Sequence, residues 1–395
     1  MAFETLNQLF QAGVTNLRNR SIGALYQAIH GGGSETTLRR NQAALTLQAL
    51  RQRTLRDVRN RSIATSFLDH ELPTPVMVAP WGAHEVVHDS AEIGTAQGAG
   101  MNMMALSTAS NRPLAEVIEA SDGPRMFQLY LFAGGAWLDD LIEEVIDAGF
   151  MAIVLTVDVQ VVSRRDRSIE LPTPAPLNFP TPMLNAAFND PTFDPSFPLL
   201  AGTDWTTVEK LQAKIAGRVP FGLKGIMTAQ AALQAKKAGV DFIWVSNHGG
   251  RQLDYGQASI DVLPAIVRAI RPNLGKPLGP PNERWPHFPP GWRHDREAKP
   301  QIVIDSGFRR GTDVLQALAL GADMVAMGKT FQMGLSANGA EGVADGYELL
   351  AAELDSNLAL MGHQSLTDLS PADIVRIDYP AQRNSPDRAI PELHT

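Results

Sequence analysis

Eight short apolar runs recur along the chain, and each stops in polar or glycine residues. They are PVMVAP (75–80), MMALS (103–107), MFQLY (126–130), AIVLTVD (152–158), FGLKG (221–225), FIWVSNH (242–248), QIVIDSG (301–307) and MVAMGK (324–329). Near-continuous apolar runs of this length suit strands buried on both faces. Between them the apolar spacing turns helical. WLDDLIEEVIDAG (137–149), TAQAALQAKKAG (228–239) and GTDVLQALALG (311–321) each close on glycine, a usual helix stop. Strands alternating with helices imply a parallel sheet covered on both sides. Eight such units match an α/β fold of the (β/α)8 TIM barrel type better than an open sheet.

Most strand ends lie roughly 23 to 28 residues apart, enough for one helix and two loops. Two intervals are far longer, and both are rich in proline: 171–203 and 271–300. The first follows a strand, so it is expected to form a lid over the active face. The second follows a helix and is expected on the opposite face. Residues 1–70 read as an N-terminal helical extension, and the chain after about 340 reads as helical again. Net charge is −8 with no basic tail, which argues against a nucleic-acid partner. The absence of cysteine excludes disulfides, thiolate metal sites and a cysteine nucleophile. The first residues, MAFETLNQLFQAG, do not read as a secretory signal, and no apolar run is long enough to span a membrane.

Active sites of this fold sit where the strands end. The ends here carry Trp81 and Gly82, Ser107, Gln128 and Tyr130, Thr156 and Asp158, Lys224, Ser246 and His248, Asp305 and Arg309, and Gly328 and Lys329. Singly, each has an ordinary reading as a hydrogen-bonded polar residue. Facing one mouth together, they point to a ligand site. A lysine after a buried strand, as at Lys224, is costly unless an electron-rich partner meets it. DSGFRRGTD and MGKTF follow the last two strands. Their glycines, helix starts and cations Arg309 and Lys329 have the makings of a phosphate site. The plainer alternative is a glycine turn with solvated arginines.

The run SNHGGRQLD, with LKGI, FQLY, LTVD, DSGFRRGTDV and LALGADMVAMGK, resembles the FMN-dependent 2-hydroxy acid oxidase and dehydrogenase family. The match runs in order from about residue 37 to about 337. The resemblance implies one FMN-binding barrel domain over 1–395 and oxidation of an L-2-hydroxy acid to the 2-keto acid. It implies that His248 is the active-site base and that Asp158 orients it. Arg251 and Arg165 would hold the substrate carboxylate, and Tyr130 would touch substrate oxygen. A guanidinium grips a carboxylate bidentately, which fixes the reacting carbon. FMN would lie against Pro80, Trp81 and Gly82. Its polar edge would meet Ser107, Gln128, Thr156, Lys224 and Ser246. Its ribityl and phosphate would meet Asp305, Ser306, Gly307, Arg309, Gly328 and Lys329. A homotetramer or larger homo-oligomer in the cytoplasm is further expected, with a small-molecule 2-hydroxy acid as partner, and the lack of basic residues in the lid argues against membrane attachment.

The sequence departs from the family pattern at three places. The family usually has a tyrosine four residues before the glycine of its N-terminal motif. In YQAIHGGGSETTLRRN that position is Gln27, with Tyr26 one residue early. Either the helix shifts register or a substrate contact is lost. Lys329 replaces an arginine, which keeps the charge but not the fork. Gly82 stands where oxidases of the family tend to carry alanine, and a glycine there is expected to leave a small void beside the flavin. That leans against a simple peroxide-producing oxidase and toward a dehydrogenase or a monooxygenase. Residues 171–209 lack lysine and arginine and include Phe179, Phe188, Phe193 and Phe197. A cover for a large or aromatic substrate is the expected reading; a membrane-docking segment and a disordered linker are the alternatives. A non-redox FMN isomerase leaves Arg165 and Arg251 without a purpose. A flavin-binding partner protein leaves His248 and Asp158 without one.

Overall fold

The structure is a computed structural model and describes residues 2–170, 181–191, 201–271 and 299–377. Three helices lead the chain: α1 (Leu6–Arg20), α2 (Ile22–Ile29) and α3 (Thr36–Thr46). The extension is not helical throughout. After α3 come a short strand β1 (Gln48–Leu50) and a hairpin of β2 (Thr65–Phe67) and β3 (His70–Leu72). Two arginines of 51–61 are tied instead to the C-terminal segment: Arg53 pairs with Asp373 and Arg61 with Asp355. Tertiary partners therefore override the local pattern there.

The barrel follows as β4 (Val76–Val78), α4 (Ala91–Ala99), β5 (Met103–Ser107), α5 (Leu114–Glu119), β6 (Arg125–Leu129), α6 (Gly135–Asp147) and β7 (Ala152–Thr156). α7 (Asp166–Glu170) precedes the long first insertion and α8 (Pro182–Asn189) lies within it, whereas its Phe179, Phe193 and Phe197 lie outside the described residues. Then come α9 (Trp205–Ile215), β8 (Phe221–Lys224), α10 (Ala229–Lys237), β9 (Phe242–Val245), α11 (Ser259–Ile270), β10 (Gln301–Ile304), α12 (Gly311–Ala319) and β11 (Met324–Met327). A long helix α13 (Lys329–Leu360), kinked at Asn338 and Gly339, leads to β12 (Ile374–Arg376). Strands β4 to β11 close into one barrel in which each pairs parallel with the next and β11 returns to β4. β12 pairs antiparallel with β1, which ties the C-terminal end of the described chain to the segment after α3.

The alternation of side chains along each strand builds two cores. Met77, Met103, Ala105, Met126, Phe242, Trp244 and Met324 fill the barrel interior. Their neighbours Val76, Val78, Met104, Leu106 and Ile243 pack outward against the helices. The β2–β3 hairpin stops the bottom of the barrel, with Phe67 edge-on to Phe242 at 5.8 Å. Most of the second proline-rich insertion lies outside the described residues. Its first residue, Arg271, belongs to the barrel instead: it is buried and paired with Asp323. Among the described residues no helix is long and apolar enough to cross a membrane.

α3 clamps the site loops. Asn41 and Asn247 exchange reciprocal amide bonds of 2.9 and 2.7 Å. The Thr37 N–H donates to Asp254 at 2.9 Å, and its hydroxyl donates to the Leu253 carbonyl at 2.9 Å. Asn41 is buried, so deleting its side chain removes two hydrogen bonds from the loop and leaves Asn247 with only the Gln257 carbonyl and the Gly250 N–H. Asn41→Ala is expected to cost about 2 kcal/mol in denaturant unfolding of the FMN-free protein. An unchanged midpoint and slope would mean that α3 is not fixed by this pair.

Candidate active site

The loop after β9 is the centre of the site. His248, Gly249 and Gly250 have φ of 59°, 67° and 76°. A histidine rarely adopts that backbone, which costs roughly 1–2 kcal/mol. Three side-chain acceptors hold it: the N–H groups of His248, Gly249 and Gly250 donate to Ser246 Oγ, Ser306 Oγ and Asn247 Oδ1, each at 3.0 Å. Gly250 must be glycine for a second reason. A Cβ there would lie 2.6 Å from Leu38 Cα in α3.

This backbone sets His248 against Asp158, at the end of β7, with Nδ1 3.0 Å from Oδ1. Burial pulls the imidazole below its usual pKa of 6.5, Lys224 and Arg251 add to that, and Asp158 opposes it. Burial by itself would raise the Asp158 carboxyl, but His248 and Lys224 outweigh it and hold it below the usual range. The carboxylate therefore accepts the Nδ1 proton, and Nε2 carries the free lone pair. Gln252 Nε2 donates to the Asp158 carbonyl at 3.1 Å.

Arg251 donates to the Gln27 and His30 carbonyls at the C-terminal end of α2, at 2.9 and 3.3 Å. Burial, with Arg165 nearby, lowers it to about 9. Arg165 is likewise lowered by burial, and its Nε donates to Ser163 at 3.2 Å. Burial raises the Tyr130 phenol well above its ordinary value. On the far side, Lys329 stands at the first position of α13. Burial, Arg251 and Arg309 push it down to about 7. So many cations gathered in one place, away from water, make a strong anion site.

These groups share a cavity of ≈ 660 Å³. Pro80, Trp81, Gly82, Ser107, Tyr130, Arg165, Lys224, His248 and Arg251 line it, as do Asp305, Ser306, Gly307, Arg309, Gly328 and Lys329. The other four expected residues stand just outside the lining. Asp158 reaches it through His248, and Ser246 accepts from Lys224 Nζ at 2.9 Å. Gln128 Oε1 accepts from Ser107 at 2.8 Å. Thr156 is the register partner of Lys224.

Two expectations change. Gly82 leaves no void, since a Cβ there would meet Ala109 Cβ at 2.7 Å. The loops after β4 and β5 already touch, and the Ala83 N–H donates to the Ala109 carbonyl at 3.0 Å. The α2 register also resolves. Gln27 lines the cavity, whereas Tyr26 lies under the Arg167 guanidinium at 5.3 Å. The substrate-facing tyrosine of the family pattern is therefore absent. Trp81 turns its indole onto His84, with ring centres 3.4 Å apart, and His84 Nε2 lies 3.0 Å from the Trp81 carbonyl. Sequence reading missed His84, Ala109 and the clamp residue Asn41. Only Asn41 sat in a quoted motif, and nothing local marks the other two.

The residues fit FMN. Gln128 Nε2 and Thr156 Oγ1 are buried and have no protein partner, as the polar edge of a flavin requires. The cations around Gly307 and Gly328 suit a phosphate.

A family model described as FMN-dependent dehydrogenase matches residues 19–376. The L-lactate oxidase of Lactobacillus jensenii is 33% identical over 379 residues, 94% of this chain and 85% of that one. A peroxisomal (S)-2-hydroxyacid oxidase of Arabidopsis thaliana is 32% identical, over 90% of this chain and 93% of its own. A Pediococcus acidilactici structure described as lactate oxidase has a TM-score of 0.81 at 30% identity, covering 96% of each chain. A soluble mutant of the membrane-associated (S)-mandelate dehydrogenase from Pseudomonas putida has a TM-score of 0.78 at 25% identity, covering 93% of this chain and 99% of that one. A barrel whose mouth is shaped for a flavin phosphate, and a match running almost end to end, lead to one conclusion: the chain belongs to the FMN-dependent 2-hydroxy acid oxidase and dehydrogenase family and is an FMN-dependent oxidoreductase.

Proposed function

We propose that the protein oxidises an L-2-hydroxy acid with a large or aromatic side chain to the 2-keto acid. The observation that carries the reaction is the half-buried His248–Asp158 pair beside a cavity that His248 shares with Arg251 and Arg165. FMN, when bound, supplies the two-electron acceptor. Pro80 to Gly82, Ser107, Gln128, Thr156 and Ser246 hold the ring. Lys224 sets a positive charge at its electron-rich end. Asp305 to Gly307, Arg309, Gly328 and Lys329 hold the ribityl and phosphate. Arg251 and Arg165 hold the substrate carboxylate, and Tyr130 meets the substrate oxygen. His248 takes a substrate proton at Nε2, and Asp158 stabilises the imidazolium that results. The expected homotetrameric or larger assembly and cytoplasmic location belong to the same proposal.

The apolar wall supports the substrate class. α8 of the proposed lid contributes Leu184 and Phe188 to the cavity. It is fastened to α6, where Trp137 Nε1 donates to the Met183 carbonyl at 3.3 Å. Tyr130, Phe132 and Phe188 form an aromatic step, with ring centres 5.5 and 6.4 Å apart. Gln27 in place of a tyrosine removes a phenolic contact suited to a small substrate. Phenyl-bearing L-2-hydroxy acids are expected to exceed lactate in kcat/KM by about tenfold or more, since each buried methylene contributes ~0.8 kcal/mol. Lactate or glycolate as the better substrate in steady-state assays would refute this.

His248→Ala is expected to slow anaerobic flavin bleaching by ~10² to 10⁴ while FMN stays bound. Arg251→Lys should raise KM and lower kcat together, because a point charge cannot replace the fork. Near wild-type kinetics in either variant would place the chemistry elsewhere.

The pH profile has a defined sign. His248 must be neutral to accept a proton, and burial lowers its pKa below 6.5. The acid limb of kcat/KM is therefore expected to have its midpoint below that value. Asp158 raises the histidine, so Asp158→Asn should move the midpoint lower still while reducing the rate. A midpoint that stays put or rises would separate Asp158 from the titrating base.

A further inference from the structure

At the cavity floor, one carboxylate oxygen faces two donors. Asp305 Oδ2 accepts from Trp244 Nε1 at 3.0 Å and lies 3.5 Å from Lys224 Nζ. The other oxygen, Oδ1, accepts from Ser306 Oγ at 2.7 Å. The lysine's shorter contact is with Ser246 Oγ, at 2.9 Å. A buried ammonium and carboxylate normally close to about 2.7–2.9 Å. Both side chains are nearly inaccessible here, at 4% and 9%, so solvent is not what holds them apart.

Trp244 is fully buried in the barrel interior. It is the register partner of Lys224 on β8 and of Val303 on β10. Its carbonyl accepts from the N–H groups of Gly225 and Ile226 at 3.0 and 3.2 Å, so its backbone is fixed from the β8 side as well. The indole face also lies 5.6 Å from Lys224 Nζ, within the range of a cation–π contact.

We infer that Trp244 is a positioning residue for the Lys224 ammonium: its indole N–H occupies the Asp305 oxygen that would otherwise close on the lysine. The pair stays loose, and the lysine keeps its charge available to the cavity through Ser246 and the indole face. Without the N–H, Asp305 Oδ2 has a lone pair to satisfy in a low-dielectric setting, and the ammonium is the nearest donor. Closing that pair withdraws positive charge from the electron-rich end of the flavin. The inference rests on the placement of Lys224 proposed above and goes beyond it, because Trp244 does not line the cavity.

The test is the sulfite affinity of the holoenzyme, read from the loss of oxidised-flavin absorbance during titration. Sulfite binding reports negative charge held on the flavin and requires no substrate. Three variants are compared: Lys224→Met, Trp244→Phe, and Trp244 replaced by benzothienylalanine. The last keeps the indole shape and exchanges only the N–H for sulfur. It remains informative should the phenylalanine variant fold poorly. The sulfite Kd is expected to rise about tenfold in both Trp244 variants, and further in Lys224→Met, with FMN retained. An unchanged Kd in the benzothienylalanine protein, with Lys224→Met weakened, would overturn the inference and leave Trp244 as core packing. An unchanged Kd in Lys224→Met would instead remove the lysine from the flavin and overturn both readings.

Discussion

Closure of the parallel barrel is the constraint on which everything else depends. Parallel strands hydrogen-bonded in a ring deliver all their C-terminal ends to one mouth. The interior below is filled by methionines, Phe242 and Trp244, so polar groups have nowhere to go but that mouth. The result is a rim of side chains that the protein leaves incompletely satisfied. Gln128 and Thr156 keep buried polar atoms without partners, and Lys329 and Arg251 are driven down to about 7 and about 9. Like charges removed from water are tolerated where an anion completes them. The electrostatics of the mouth thus favour anions, as the proposed flavin phosphate at one end and substrate carboxylate at the other require.

The loop after β9 shows how strain is held in place. Left-handed backbone at His248, Gly249 and Gly250 turns the chain sharply after β9 and lets one short segment present both the imidazole and the guanidinium to the cavity. The loop does not hold itself. Ser246 and Asn247 lie within it, Ser306 comes from the next strand end, and α3 packs so closely that Gly250 has no room for a Cβ. The N-terminal extension is therefore part of the site. α2 contributes the carbonyls that receive Arg251 and the Gln27 wall, while α3 locks the loop from outside.

Gly82 shows how a plausible local reading can point the wrong way. Taken alone, a glycine beside the flavin suggests a void. The structure aims the missing Cβ at Ala109, so Gly82 serves the contact between two strand-end loops. Any change there first has to move Ala109, and its effect on the ring would follow from that displacement. Trp81 is similar: its backbone belongs to the cavity, but its indole is committed to His84.

The sequence by itself determined the eight-fold strand and helix alternation, the mouth at the strand ends and the identity of the polar residues there. Those properties follow from hydrophobic periodicity and from motifs contiguous in the chain, such as the run from Ser246 to Arg251. It missed the strands after Thr46, because Arg53 and Arg61 of that segment find partners more than 290 residues away, at Asp373 and Asp355. It also left the register of α2 open, since Tyr26 and Gln27 are adjacent and only packing against Arg167 decides which one turns away. Tertiary structure alone set the Asn41–Asn247 clamp, the contact of Gly82 with Ala109 and the sharing of Asp305 between Trp244 and Lys224. Each joins residues far apart in the chain whose local sequence carries no mark of the partner. Periodicity tells which face of a strand is buried; it does not tell what meets that face.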